Sequence, residues 1–363
     1  MKTDMKGELK CHIMAVLISF MALFCLAAIN GYEHFSAAGG GDKNGSTWDN
    51  AYPQDSLRKF LQNTVVAGDV IFLKGDIDYT ADSIIDCTAR DGSAVSPIAI
   101  IGVKAATTHE GADIVFADWA RDTADMPHLN IGLYYTYLGD YYQVRNLNMR
   151  SAGENVLRNS TEGIIENCKI QQTGDAGAYN AVILASGGLL LNCDITSPNR
   201  YGVYISSQSR VMYNYIHDCT NATYGIGMRE IGTGIILFNK IKNCTIGINL
   251  NGQNQTTING NTIFKCGTGI VSTGTEHGTV IINNLLDSCR TYGVNWNTQT
   301  DHNFYTHNHG DDTRCTDMWN NVDVSTLFKD NSVTTGDPLF TDTVDGFQLG
   351  AESPAFNTGQ GVR

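Results

Sequence analysis

Four segments of this chain superimpose without a gap: Asn214-Tyr-Ile-His-Asp-Cys219, Asn239-Lys-Ile-Lys-Asn-Cys244, Asn261-Thr-Ile-Phe-Lys-Cys266 and Asn284-Leu-Leu-Asp-Ser-Cys289. Their asparagines stand 25, 22 and 23 residues apart, and so do their cysteines. Looser versions precede them at Asn167-Cys-Lys-Ile170 and Asn192-Cys-Asp-Ile195. A second phrase keeps step: Gly202-Val-Tyr-Ile, Gly225-Ile-Gly-Met, Gly247-Ile-Asn-Leu, Gly269-Ile-Val-Ser and Gly293-Val-Asn-Trp. Each period holds three short alternating strands separated by small or polar turns. One such coil cannot bury its inward side chains, but stacked coils bury them against like residues about 4.8 Å above and below. Identical residues then form ladders, and an asparagine amide, both donor and acceptor, can bond along its own column. A leucine-rich repeat would be denser in Leu, and a propeller needs roughly 40 residues per unit. The pattern predicts an all-β chain, a single-stranded right-handed parallel β-helix, with at least six coils between about residues 140 and 300 and Asn214, Asn239, Asn261 and Asn284 in one column.

The flanks complete this picture. Met1 to His12 carries Lys2, Lys6 and Lys10, and Ile13 to Ala28 is an almost unbroken apolar run. That order reads as a secretory signal over residues 1–28, cleaved near Ala27 or Ala28. A membrane anchor would need about 20 apolar residues, and a lipoprotein site at Cys25 would want a small residue where Phe24 stands. The expected location is secreted, periplasmic or cell-surface, with no stable membrane insertion after cleavage. Residues 29–300 form the β-helix with its N-terminal cap. Residues 55–66 form the capping helix, with Asp55 or Ser56 at its start and Leu57, Phe60, Leu61 and Val65 at helical spacing. It would cover the strand edges of the first coil. Val70–Leu73, Ile98–Ile101 and Ile114–Phe116 read as early strands. Residues 301–363, where the period is lost, form a covering segment of the same domain.

Composition narrows the partners. A net charge of −13 argues against nucleic acid, whose binding depends on Lys and Arg neutralising phosphates, and disfavours polyanionic sugars unless a cation bridges them. Of the 10 cysteines, Cys11 and Cys25 lie in the signal. The rest form no CxxC pairs, so no zinc ribbon is expected. The recurring thiols Cys219, Cys244, Cys266 and Cys289 stand in a small apolar packing position, and a ladder of free buried thiols is favoured over disulfides.

Gly39-Gly-Gly-Asp-Lys-Asn-Gly-Ser-Thr-Trp48 and Ala67-Gly-Asp-Val-Ile-Phe72 resemble the opening of secreted bacterial β-helix proteins of the pectate-lyase-like superfamily. Gly336-Asp-Pro-Leu-Phe340, Phe347-Gln-Leu349 and Ser353-Pro-Ala-Phe-Asn-Thr-Gly359 resemble its usual C-terminal segment. The resemblance implies the fold and export, with a polysaccharide or glycan lying along the outer face of one sheet; calcium enters through the resemblance alone. By that resemblance the Gly-Ile/Val strands form the binding sheet. Alternation sends Val203, Ile205, Ile226, Met228, Ile248, Leu250, Val294 and Trp296 inward. It leaves Tyr204, Ser206, Arg229, Asn249, Asn251, Thr273, Asn295 and Asn297 outward. Tyr204 is placed to stack on a sugar ring, and Arg229, Glu230 and the amides of Asn249, Asn251, Asn295 and Asn297 to bind hydroxyls. As an adjacent pair, Arg229 and Glu230 also read as an ordinary surface ion pair.

A lyase of the superfamily needs a base beside a uronate, usually with calcium-holding acids, and a hydrolase needs two carboxylates across the bond. The outward row shows neither, so no catalytic residue carries over. His302, His307 and His309 with Asp311 or Asp312 are metal-ligand types, but their spacing matches no recognised site, and they read as a solvated loop. Two function classes stay open here. One is an exported protein that binds or processes a polysaccharide, as a lyase or glycoside hydrolase if it is an enzyme. The other is a non-catalytic surface, adhesin or spike element.

Overall fold

In the computed structural model the described residues are 30–106, 126–153, 155–174, 179–221, 226–230, 232–251, 255–273, 278–296, 304–306, 308–310, 317–320 and 333–335. Their strands make three parallel sheets of 12, 11 and 10 strands, here A, B and C, with each coil contributing one strand to each sheet in turn. Between Tyr142 and Trp296 seven complete coils stack, from the strand Tyr142–Arg145 to the strand Tyr292–Trp296. The chain is a right-handed parallel β-helix. Its coils continue where the sequence period fails: Phe304–Thr306, Asn308–Gly310 and Asp317–Asn320 pair onto sheets A, B and C, and Val333–Thr335 pairs onto Asn308–Gly310. The early strands run Asp69–Lys74 and Ile98–Val103; Ile114–Phe116 lies outside the described residues.

The asparagine ladder forms at the bend from sheet A to sheet B. Asn239 Oδ1 accepts from the Asn214 backbone N–H at 2.9 Å and from its Nδ2 at 3.0 Å. Asn261 and Asn284 repeat the arrangement one coil on. Each amide also donates to a backbone carbonyl one coil back in sheet A, as Asn239 Nδ2 does to Val211 O at 2.9 Å. All four residues are buried.

The earlier motifs enter this column one residue out of step with the sequence alignment. The strand register aligns Lys169 and Asp194 with Tyr215, so Cys168 and Cys193 occupy the Asn214 position. Cys193 N–H donates to Asn214 Oδ1 at 2.8 Å, continuing the ladder through a thiol-bearing residue. Asn167 and Asn192 stand one place earlier, with φ of 53° and 50°, in a left-handed column shared by Asn146, Tyr213, Phe238, Gly260 and Asn283. Asn and Gly tolerate that conformation best. Asn192 Nδ2 bonds Asn167 Oδ1 at 3.2 Å, a second and outer amide ladder.

The glycine column explains the second phrase and shifts it. A Cβ built on Gly202 would meet Gly227 O at 2.7 Å, and one on Gly227 would meet Gly247 O at 2.8 Å. The structural counterpart of Gly202 is therefore Gly227, not Gly225. These glycines are required by close backbone packing against Ile216, Ile241 and Ile263. Cys219, Cys244 and Cys289 lie beside them, and these three with Cys266, Cys87, Cys168 and Cys193 are buried free thiols.

At the N-terminal end the helix is Leu57–Asn63, shorter than the expected 55–66, and a 3-10 turn over Gln54–Ser56 leads into it. Ser56 is already helical, at φ −86° and ψ −12°, so its hydroxyl makes no cap bond and donates instead to Pro53 O at 2.7 Å. Side-chain capping needs an extended residue at that place. Leu57, Phe60, Leu61 and Val65 join one apolar core with Phe35, Leu73, Tyr79 and Ile85 of the first coils.

Candidate functional site

Sheet C presents one outward column that the strand register traces through ten coils. It reads Asp86, Tyr137, Arg158, Ile183, Tyr204, Arg229, Asn249, Val271, Asn295 and Asn320. The residues on either side of it along the strands, Val203 and Ile205 or Ile248 and Leu250, are fully buried. Alternation about that anchored interior is what aims the column outward.

Four expected site residues, Tyr204, Arg229, Asn249 and Asn295, stand in this column on separate coils. The others do not. Glu230 pairs with Ile205 and Leu250, the register of the inward column. Asn251 lies past the strand end, where Thr273 Oγ1 is 3.1 Å from its Oδ1 and 3.3 Å from Asn249 Oδ1. Asn297 and the His302 to Asp312 cluster, apart from the backbone of 304–306 and 308–310, lie outside the described residues. Asn249 is outward in register yet only 7 % exposed, flanked by the larger Arg229 and Val271. Ile226, expected inward, pairs with Tyr201 and Ile246. Strict alternation breaks at the glycine column, where Tyr201, just before Gly202, meets the outward Tyr204 and Arg229; the side chain of Ile226 lies outside the described residues.

The register adds three residues that the repeat phrases did not reveal: Tyr137, Arg158 and Ile183. Arg158 is exposed and its guanidinium lies over the Tyr137 ring at 5.0 Å, while Tyr135 packs on Tyr137 at 4.1 Å. The same pairing recurs around Tyr201. The Arg229 guanidinium sits 5.2 Å from that ring, and its Nη1 donates to the phenol oxygen. Arg200 lies over the ring at 4.7 Å, and Tyr204 stacks on it at 5.8 Å and 17°. Cation–π contact holds each guanidinium over an aromatic face, and a guanidinium carries five N–H donors, of which Arg229 spends one on the Tyr201 phenol. Arg229 thus binds the Tyr201 phenol, a partner that the adjacent-pair reading did not foresee. The centre of this face is basic and aromatic on a protein of net charge −13.

A second charged cluster lies on the outer side of sheet B. His217 is held between two carboxylates, Nδ1 at 2.7 Å from Asp218 Oδ2 and Nε2 at 2.8 Å from Asp194 Oδ1. Tyr215 stacks on it at 4.3 Å, and Lys169 Nζ is 3.9 Å from Asp194. Burial pulls the imidazolium pKa down, but the bonds to Asp194 and Asp218 outweigh burial and leave it above its ordinary 6.5. Burial likewise pushes Asp218 up, and Asn243 and His217 more than reverse that shift. With both ring nitrogens engaged, this histidine ties coils together and has no open position for substrate. A raised native pKa means stability fully present below pH 6.5 and lost as pH rises through the native value. In a series of melting temperatures from acid to alkaline pH, wild type should lose its advantage over His217→Gln as pH rises. Parallel curves would show that the imidazolium contributes nothing.

Among the described residues no three His, Cys, Asp or Glu side chains are grouped to hold a metal ion, and no helix is long and apolar enough to cross a membrane.

The family model described as the right-handed beta helix region matches residues 154–309. No curated protein matches the sequence. Among solved structures, pectate lyase Pel9A is similar over 87% of this chain and 81% of its own, at 13% identity and a TM-score of 0.52. The Dettilon tailspike protein (gp208) is similar over 86% of this chain and 63% of its own, at 13% identity and a TM-score of 0.52. A polysaccharide lyase of the PL6 family from Pseudopedobacter saltans is similar over 79% of this chain and 77% of its own, at 14% identity and a TM-score of 0.49. At these identities the likeness is one of fold.

Proposed function

We propose that this chain, a right-handed parallel β-helix with the pectate-lyase-like fold, is an exported protein that binds a polysaccharide along the outer face of sheet C. The observation that carries this reading is the single column Tyr137, Arg158, Ile183, Tyr204, Arg229. Aromatic, apolar and guanidinium side chains follow one another there at steps of about 4.8 Å. Tyrosine faces and Ile183 suit the C–H faces of sugar rings. Arg158 and Arg229 supply forked donors for ring hydroxyls or carboxylates, and Asn249 and Asn295 continue the row with amides. Export rests on the basic-then-apolar order of residues 1–28.

The chemistry of this row is that of recognition: it orients and holds a chain. Among the described members of the column the one carboxylate, Asp86, stands at its far end, five coils from Arg229. The described column groups no carboxylates that would hold calcium, so binding takes its affinity from the rings, guanidinium groups and amides alone.

A glycan array read with wild type, Tyr204→Ala and Arg158→Ala is the test, with assay of unsaturated products on each bound glycan. Loss of one stacked ring or one charged fork from a buried contact costs about 1–3 kcal/mol. Each variant should therefore bind roughly 10- to 100-fold more weakly while staying folded at the assay temperature, as its melting curve would show. An array on which wild type binds no glycan would overturn the reading and leave the structural-element class standing.

A further inference from the structure

We propose a second site, on the outer face of sheet A, that takes a single neutral sugar ring. There the loop Ser93–Pro97 overhangs the sheet and closes one side of a depression of roughly 600 Å³, counting its open mouth. Only about 140 Å³ of it is enclosed and the rest is open mouth, so it is a shallow depression with room for one small ring and not for a chain. Its floor is one outward column on four successive coils, Gln143, Ile164, Leu189 and Arg210. Polar groups thus stand at both ends of an apolar patch two residues long. Leu189 is only 2 % exposed although it points away from the core, and Pro97 extends the apolar wall.

The walls are built before any ligand arrives. Ser93 and Ser96 exchange backbone hydrogen bonds at 3.1 and 3.2 Å, and Gly92 N–H donates to Asp140 O at 2.9 Å. Gln143 Oε1 already accepts from Arg145 Nη2 at 3.1 Å, so its Nε2–H group is the part left to offer. Glu162 stands in the turn beside the floor. Its carboxylate occupies the space a side chain at Gly187 would fill, since a Cβ there would come within 2.3 Å of Glu162 Oε1. The absence of a side chain at Gly187 is what lets the carboxylate border the depression.

The resulting surface has an apolar floor, one acceptor-only group and two donors. A carboxylate accepts from hydroxyls, while the Arg210 guanidinium and the Gln143 amide donate. An anion would face Glu162 and a cation would face Arg210, so a ligand with net charge meets repulsion from one side. A hydroxylated ring whose apolar face rests on Ile164 and Leu189 fits the Glu162 carboxylate and the Arg210 guanidinium beside that patch. The site is independent of the sheet C column, which lies on another face of the coil.

Saturation-transfer NMR on the full chain tests this, using the methyl glycosides of glucose, galactose, mannose and xylose, with free glycine and alanine as zwitterionic counter-probes. For a ligand of about a dozen heavy atoms a Kd on the order of 1 mM is expected. Glu162→Gln and Arg210→Ala alter exposed side chains and should melt as wild type does. Each should bind the responding glycoside at least tenfold more weakly. The site is refuted if no glycoside shows transfer, if only the amino acids do, or if transfer is undiminished in both variants.

Discussion

Asn239→Ala is expected to destabilise the protein by about 3–5 kcal/mol, the largest loss predicted for any single side chain here. The substitution removes an acceptor from Asn214 N–H and Nδ2 and a donor from Val211 O and Asn261 Oδ1. Each group left buried without a partner costs about 1–3 kcal/mol, and relaxation of a neighbouring coil recovers part of the sum. Because coils touch only their neighbours, the damage is local, and a solenoid broken in the middle can unfold in two parts. Urea unfolding should show a lower midpoint and a shallower or split transition. Asn239→Cys is the informative companion, because Cys193 already holds this column position and its N–H stays bonded to the next amide. It should cost less than alanine. A shift below about 1 kcal/mol for Asn239→Ala would mean the ladder is not a stabilising element.

Gly247→Ala should destabilise by about 2–3 kcal/mol, at the upper end of ordinary overpacking. The added methyl would lie 2.6 Å from Gly269 O and 2.8 Å from Ile263 Cγ2. The first is a backbone carbonyl held in the parallel stack, so it cannot swing aside as a flexible side chain would. The backbone angles at Gly247 are ordinary ones, so the cost is steric and falls on the spacing between coils. Equilibrium unfolding measures it. An alanine variant as stable as wild type would show that the column has room the geometry denies. The same experiment at Gly225, the glycine of the sequence phrase, makes the comparison sharper, since Gly227 and not Gly225 occupies the packed column.

The recurrence of Asn214, Asn239, Asn261 and Asn284 was readable because identical inward residues become neighbours when coils stack, and burial ties each to the next. The thiols Cys219 to Cys289 were readable for the same reason. The one-residue slip at Asn167 and Asn192 has a different origin. Asparagine serves two adjacent columns, an inner one for hydrogen bonding and an outer one for its tolerance of left-handed backbone, and letters alone do not say which column is meant. Gly225 and Gly227 pose the same ambiguity two residues apart.

The outward face was legible only in part. Tyr204, Arg229, Asn249 and Asn295 share the outward register because each flanks buried residues of the repeat. Glu230 follows the outward Arg229 on the same strand, so alternation itself puts it in register with Ile205 and Leu250. Tyr137, Arg158 and Ile183 belong to coils where the repeat phrase is weak, and nothing in the linear sequence aligns them with Tyr204.

The sequence by itself determined the solenoid, its coil length and its buried ladders, since inward packing demands a like residue every turn and so writes a period into the chain. Which outward side chains stand side by side was decided only by the tertiary structure. Solvent makes no such demand on the outer columns, coils differ in length, and a register error of one residue carries a side chain from one face of the sheet to the other. Both proposed sites, the Tyr–Arg column of sheet C and the Glu162–Arg210 depression of sheet A, are assembled from residues that become neighbours through stacking alone.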